Sequence, residues 1–190
     1  MSLAFTSSYC IPLLLTPYSS VIGQEGEQDG YYRSLLNLIP SQAPFLTRSA
    51  GQFAFSALNQ MFVVPGTCPG SANAALFDAL PIFGALNVVN QPTRLINQNV
   101  QFSVAKANLT CDISDFRVTF INQQNVPVTS NITNVQSSGD VVTFEASFAF
   151  ADLIAQGLTI AAVTKGSDAF ASVPDVAAAT VFGPGLIELN

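Results

Sequence analysis

The chain reads as mainly β: an antiparallel β-sandwich or jelly-roll-like barrel with one or two short helices and extended terminal arms. Three observations predict this. Apolar and polar residues alternate along several segments after about residue 86. Turn signals separate those segments at the roughly 8–12-residue spacing of antiparallel sheets. Apolar residues make up 49% of the chain, including 15 Phe, enough for a large core. At 190 residues the chain fits a single domain, 1–190, with the clearest β core at 86–165.

Residues 1–70 read as irregular, with 1–30 as an N-terminal arm. Pro12, Pro17, Pro40, Pro44, Pro65 and Pro69 punctuate them, and proline disrupts long helices and central strands. A helical turn is expected at 33–39, closed by Pro40. Residues 52–64 mix helix and strand spacings through Phe53, Phe55, Leu58, Met61 and Phe62, so both remain open. Residues 71–80 carry the best helix signal. Ser71 can cap its first turn, Ala74, Ala75 and Leu76 favour it, and Pro81 follows its end.

The β core follows. Val100, Phe102 and Val104 alternate, as do Leu109, Cys111 and Ile113, then Phe116, Val118 and Phe120. A polar loop at 122–125 leads into 126–133, and Ser137-Ser138-Gly139-Asp140 makes a turn. Val142, Phe144, Ala146, Phe148 and Phe150 alternate next. This pattern buries one sheet face and leaves the other polar. Residues 152–157 suit one helical turn closed by Gly157, and the apolar run 158–163 reads as a buried strand. Residues 166–180 are small and Ala-rich around Pro174, and 181–190 form an edge strand or arm.

Composition narrows the function. There are eighteen charged side chains, six basic and twelve acidic, and no His or Trp. A globular chain of this mass exposes roughly 8,700 Å². Charged groups covering roughly 100 Å² each hide about a fifth of that, well below the charge density of a well-behaved soluble surface. Ser, Thr, Asn and Gln, 56 in all, and apolar groups must cover the rest. Such a surface suits burial against other subunits.

The net charge of −6 and the scattered Arg33, Arg48, Arg94 and Arg117 argue against nucleic acid. No stretch is apolar enough for a membrane span, since Glu145, Asp152, Gln156 and Gly157 interrupt the nearest, 144–163. A membrane-facing surface stays open. The first residues carry no basic region of a secretory signal, so synthesis in a reducing cytoplasm is expected. Cys10, Cys68 and Cys111 then read as buried free thiols; one disulfide plus one free thiol is the other arrangement.

No residue set names a reaction. Without His, neither a Ser-His-Asp nor a Cys-His arrangement can form. Lys106 and Lys165 lie outside any Ser-x-x-Lys context, and no phosphate-binding glycine loop occurs; Gly183-Pro184-Gly185 reads as a turn. Asp112 and Asp115 resemble a paired carboxylate but fit a turn in which Asp bonds local backbone. Glu25, Glu27 and Asp29 precede Gly30 as in the first half of an EF-hand loop. Leu36 stands where the closing Glu belongs, which leaves a weak calcium candidate beside a solvated acidic loop. Asn108-Leu109-Thr110 and Asn131-Ile132-Thr133 match the glycosylation sequon, read here as chance. Tyr31-Tyr32 could stack on a sugar, or pack a loop onto the domain.

The expectation is a non-enzymatic structural subunit without a cofactor. It would be a virion coat, spike or decoration protein, assembled in the host cytoplasm, that partners with itself and other structural proteins. The alternatives are a receptor- or carbohydrate-binding module and an extracellular filament or surface-layer subunit.

Overall fold

A computed structural model describes residues 11–41, 43, 45–64, 67, 80–109, 112–166 and 168–189. The three cysteines and the expected helix at 71–80, apart from Leu80, lie outside them. The chain divides into two compact units, with the boundary after residue 42.

In the first unit, residues 11–30 of the segment expected to be an irregular arm belong instead to a 25-residue helix, α1 (Ile11–Leu35); the part of that arm before residue 11 lies outside the described residues. Pro12 sits in its first turn, where its missing N–H has no intrahelical partner to lose. Pro17 and Gly23, Gly26 and Gly30 lie further in, which is why propensity gave no helix signal. The helix ends at Asn37, in the left-handed region (φ 58°). The Leu38 N–H donates to the Arg33 carbonyl and the Asn37 N–H to the Ser34 carbonyl, a Schellman ending. The expected turn at 33–39 is therefore the end of α1, closed by Asn37 ahead of Pro40.

The second unit is the predicted mainly antiparallel β fold, built as a nearly closed barrel. Its strands are β1 (Asn87–Val88), β2 (Gln98–Ala105), β3 (Arg117–Asn122), β4 (Val128–Ser138), β5 (Val141–Phe148), β6 (Gly157–Thr164) and β7 (Thr180–Leu189). They lie in the order β1-β2-β5-β4-β3-β6-β7. β4 joins the two halves: Val128 to Asn131 pair with β3, and Ile132 to Ser138 pair with β5. Phe102, Phe120, Phe144 and Phe148 point inward, as read, whereas Phe150, read in the same alternation, lies past the end of β5. Phe102 stacks on Phe144 with ring centroids 5.8 Å apart, and Phe120 meets Phe148 edge-on at 5.3 Å. All four rings are fully buried. Each such side chain contributes about 1.5–3 kcal/mol by leaving water.

Three helices accompany the strands: α2 (Gly51–Met61), α3 (Phe150–Leu153) and α4 (Val173–Ala179). Segment 52–64, open in sequence, is α2. One or two short helices were expected; the two units together hold four described α-helices. Phe53 of α2 and Val173, Val176 and Ala177 of α4 pack with Phe83, Ile121, Ile160, Ala162 and Phe170 in a second core. β3 and β6 are thus buried on both faces, which explains the continuous apolar run read at 158–163. Ser172 caps α4: its hydroxyl accepts from the Asp175 N–H and donates to the Asp175 carboxylate.

Two readings change. Of the alternating run read at Leu109, Cys111 and Ile113, Cys111 lies outside the described residues and Ile113 lies in a turn rather than a strand. The chain instead forms 3-10 turns at Lys106–Asn108 and Ile113–Asp115. Gly183-Pro184-Gly185 is not a turn but lies within β7, near shifts in its register with β6. β7 is the expected edge strand, yet it is no removable arm, because Phe182, Ile187 and Leu189 are core residues.

Candidate interaction surface

β7 ends the strand order, and its outer side is largely held. The Gly84 N–H donates to the Val181 carbonyl and the Gly183 N–H donates back to the Gly84 carbonyl. Further along, the Gln91 side-chain amide donates to the Leu186 carbonyl at 2.9 Å and accepts from the Glu188 N–H at 3.4 Å. A side chain here substitutes for a ladder strand and blunts the edge.

The outer face of β2 and β5 is polar and carries a single charge. Asn99 faces Ser147, Gln101 faces Glu145, and Ser103 faces Thr143. Glu145, the one charge among them, accepts from the side-chain amides of Asn99 at 3.3 Å and Asn134 at 2.8 Å.

Large apolar side chains are exposed elsewhere. Leu58, Met61, Phe62 and Val64 crowd the end of α2, with Phe62 75% exposed. Phe45 and Leu46 stand out just before the extended stretch that the β3–β4 loop holds. There the Arg48 N–H donates to the Gln123 carbonyl and the Gln123 N–H to the Thr47 hydroxyl. In the first unit, Ile22, Tyr31, Tyr32, Leu35, Leu36 and Ile39 are exposed. A slot of about 200 Å³ opens between α2 and β6–β7, walled by Phe53, Ala54, Ala57, Leu158, Ile160 and Leu186.

The sequence candidates fall as follows. Glu25, Glu27 and Asp29 lie on α1, not in a loop, and all three are exposed. Helical geometry puts Glu25 and Asp29 on one side and Glu27 on the other, so the three do not converge. No group of three or more metal-ligating side chains that could hold an ion occurs among the described residues. Tyr31 and Tyr32 are 5.8 Å apart, tilted by 59°, in the last turns of α1 rather than on a loop.

Asp112 opens the turn Ile113–Asp115 by accepting from the Ser114 N–H at 3.0 Å. Backbone and side-chain hydrogen bonds from Ser114 hold its carboxyl below the ordinary carboxylate range. Asp115 lines a separate polar hollow of about 180 Å³ with Arg117, Gly166 and Asp168. There the Arg117 guanidinium donates to the Asp168 carboxylate at 3.0 Å. Lys106 and Asp112, distant in any motif, share one groove beside β4. Asn131 is exposed on β4, and Lys165 follows β6.

Sequence reading missed the exposed end of α2, the slot beneath it and the groove beside β4. Phe62-Val63-Val64, apolar residues continuing past the helix end, were the available signal for the first. Comparison with known proteins gave no match: no family model fits the chain, and no curated protein or solved structure is similar to it.

Proposed function

We propose that this chain is a non-enzymatic structural subunit that acts by packing against copies of itself and other structural proteins. The observation that carries the reading is the pairing of eighteen charges in 190 residues with large exposed apolar side chains on both units. Exposed patches of that kind, little diluted by charge, mark interaction surfaces. The Asn/Gln/Ser/Thr-rich face of β2 and β5, with Glu145 its single charge, supports it, because polar contacts there need the desolvation of only one charge. A nearly closed barrel can tile through its sides and loops. Within this reading we place the chain among virion coat, spike or decoration proteins, assembled in a host cytoplasm.

The native mass of the purified chain, with electron microscopy of the same fraction, tests the proposal. Rings, shells or fibres support it, and a monodisperse monomer opposes it. A second reading, a carbohydrate- or receptor-binding module, draws on the exposed Tyr31-Tyr32 pair. Saturable glycan-array binding that is lost in Tyr31→Ala/Tyr32→Ala would favour it.

A further inference from the structure

We propose that one end of the barrel is a two-fold contact between two copies of this chain, end against end. The inference rests on the assembly reading above and names one of its contacts. Three connections meet at this end: 89–97 between β1 and β2, 123–127 between β3 and β4, and 149–156 between β5 and β6. The antiparallel pairing brings them together, because β2 begins opposite the end of β5, β4 begins opposite the end of β3, and β6 begins beside that same end. Every residue of the three connections is described.

This end is rich in exposed aliphatic side chains. Val89, Leu95 and Ile96 stand on the first connection, Val126 on the second, Ile154 on the third, and Leu46 on the extended stretch beside them. Leu46 is 77% exposed, Val126 67% and Ile154 66% in the folded chain. Ile154 is also left-handed (φ 46°) where α3 ends, a place that helices usually give to Gly or Asn. A β-branched residue is strained there, and a side chain so exposed gains no burial within its own chain to offset the strain. A partner that covers it supplies that burial.

Hydrogen bonds fix the connections before a partner arrives. The Asn97 side-chain carbonyl accepts from the Ala151 N–H at 2.7 Å. The side-chain amides of Gln123, Asn125 and Gln124 donate to the carbonyls of Ile154 at 3.1 Å, Leu153 at 2.7 Å and Leu46 at 3.0 Å. A surface ordered in advance loses little entropy on binding.

Charge and area select a second copy as the occupant. The three connections hold one charge of each sign, Arg94 and Asp152. Both are exposed, and neither has an ion-pair partner among the described residues. A two-fold contact can set Arg94 of each copy toward Asp152 of the other. The connections at the opposite end, 106–116, 139–140 and 165–179, hold five Asp against two Lys, so copies meeting there would repel. An anionic lipid surface finds no basic surplus at the aliphatic end to hold it. A fully exposed Val, Leu or Ile side chain presents about 110 Å², so six that are half to three-quarters exposed offer roughly 400 Å². One partner of a standard interface gives about 800 Å², a little over half of it apolar, or about 450 Å². The two apolar areas agree.

The test uses the full chain with Val126 replaced by the photo-crosslinker benzoylphenylalanine. Isotope-labelled and unlabelled copies are mixed, irradiated and mapped by mass spectrometry. The expected result is mixed-label cross-links to 45–48, 89–97, 123–127 or 149–156. Ile154→Asn should keep or raise the melting temperature, because Asn accepts left-handed backbone, yet cut the mixed-label yield by roughly tenfold. Leu46→Ser serves if Ile154→Asn does not fold, and Val141→Ser, at the other end, should leave the yield unchanged. Cross-links elsewhere, cross-links confined to single copies, or a yield unmoved by Ile154→Asn would overturn the proposal. Flotation with phosphatidylcholine vesicles in place of mixed-label cross-links would also overturn it, with a lipid surface as the occupant. Light scattering on the same sample separates the two ideas. Oligomers with cross-links elsewhere overturn this contact alone, and a monomer overturns both.

Discussion

Gly84 lies so close to Phe182 that a Cβ atom on it would stand 2.6 Å from the ring. The two residues form a parallel bridge, and Phe182 is buried in the barrel core. The contact holds the segment before β1 against β7.

Gly84→Val is therefore expected to force the Phe182 ring out of place. Overpacking of this kind costs about 1–3 kcal/mol. A lower denaturation midpoint at unchanged slope would show it, and an unaltered midpoint would mean that the ring moves freely.

Asn122 is fully buried, and its amide donates to the Gln156 and Leu158 carbonyls and the Thr159 hydroxyl at 3.0–3.2 Å. Its side-chain carbonyl oxygen has no hydrogen-bond partner among the described residues. Asn122→Asp would set a carboxylate against two carbonyl oxygens, which raises its folded-state pKa. A raised acid pKa means stability that is lost as pH rises past the unfolded value, about 3.9. The variant should lose more stability relative to wild type at pH 7 than at pH 4. Equal losses at both would contradict the burial.

The Asp112 carboxylate should titrate below an unperturbed Asp, because Ser114 hydrogen-bonds its charged form. Its depressed pKa stabilises the turn above about pH 4, and that contribution fades as the pH falls through the folded value. The Ser114 amide resonance should report this midpoint. Asp112→Asn should abolish the titration while it keeps an acceptor for the Ser114 N–H.

Why the strands were legible and the first third was not follows from particular residues. Val142, Phe144, Ala146 and Phe148 alternate because β5 faces the core on one side only. In α1, Pro17 and three glycines break helix propensity, and no apolar stripe recurs at helical spacing. At Ile113 the alternating pattern misled, because Asp112 bonds the Ser114 backbone and the chain turns there. Asn134 in the left-handed region, and the register shift beside it, follow from strand pairing that no local pattern encodes. The acidic trio looked like a loop because Gly26 and Gly30 accompany it, yet helical rotation separates its carboxylates.

Truncation of the last strand is expected to be severe. Removal of 181–189 takes Phe182, Ile187 and Leu189 from the core and should leave no cooperative melt. A folded chain without 181–189 would contradict the core assignment.

The central claim is that this weakly charged chain functions by association. Light scattering on a sizing column, read across protein concentration, tests it most directly. The account predicts a mass several times 20.0 kDa, with Phe62→Ser lowering it. A mass of 20.0 kDa at every concentration would contradict it.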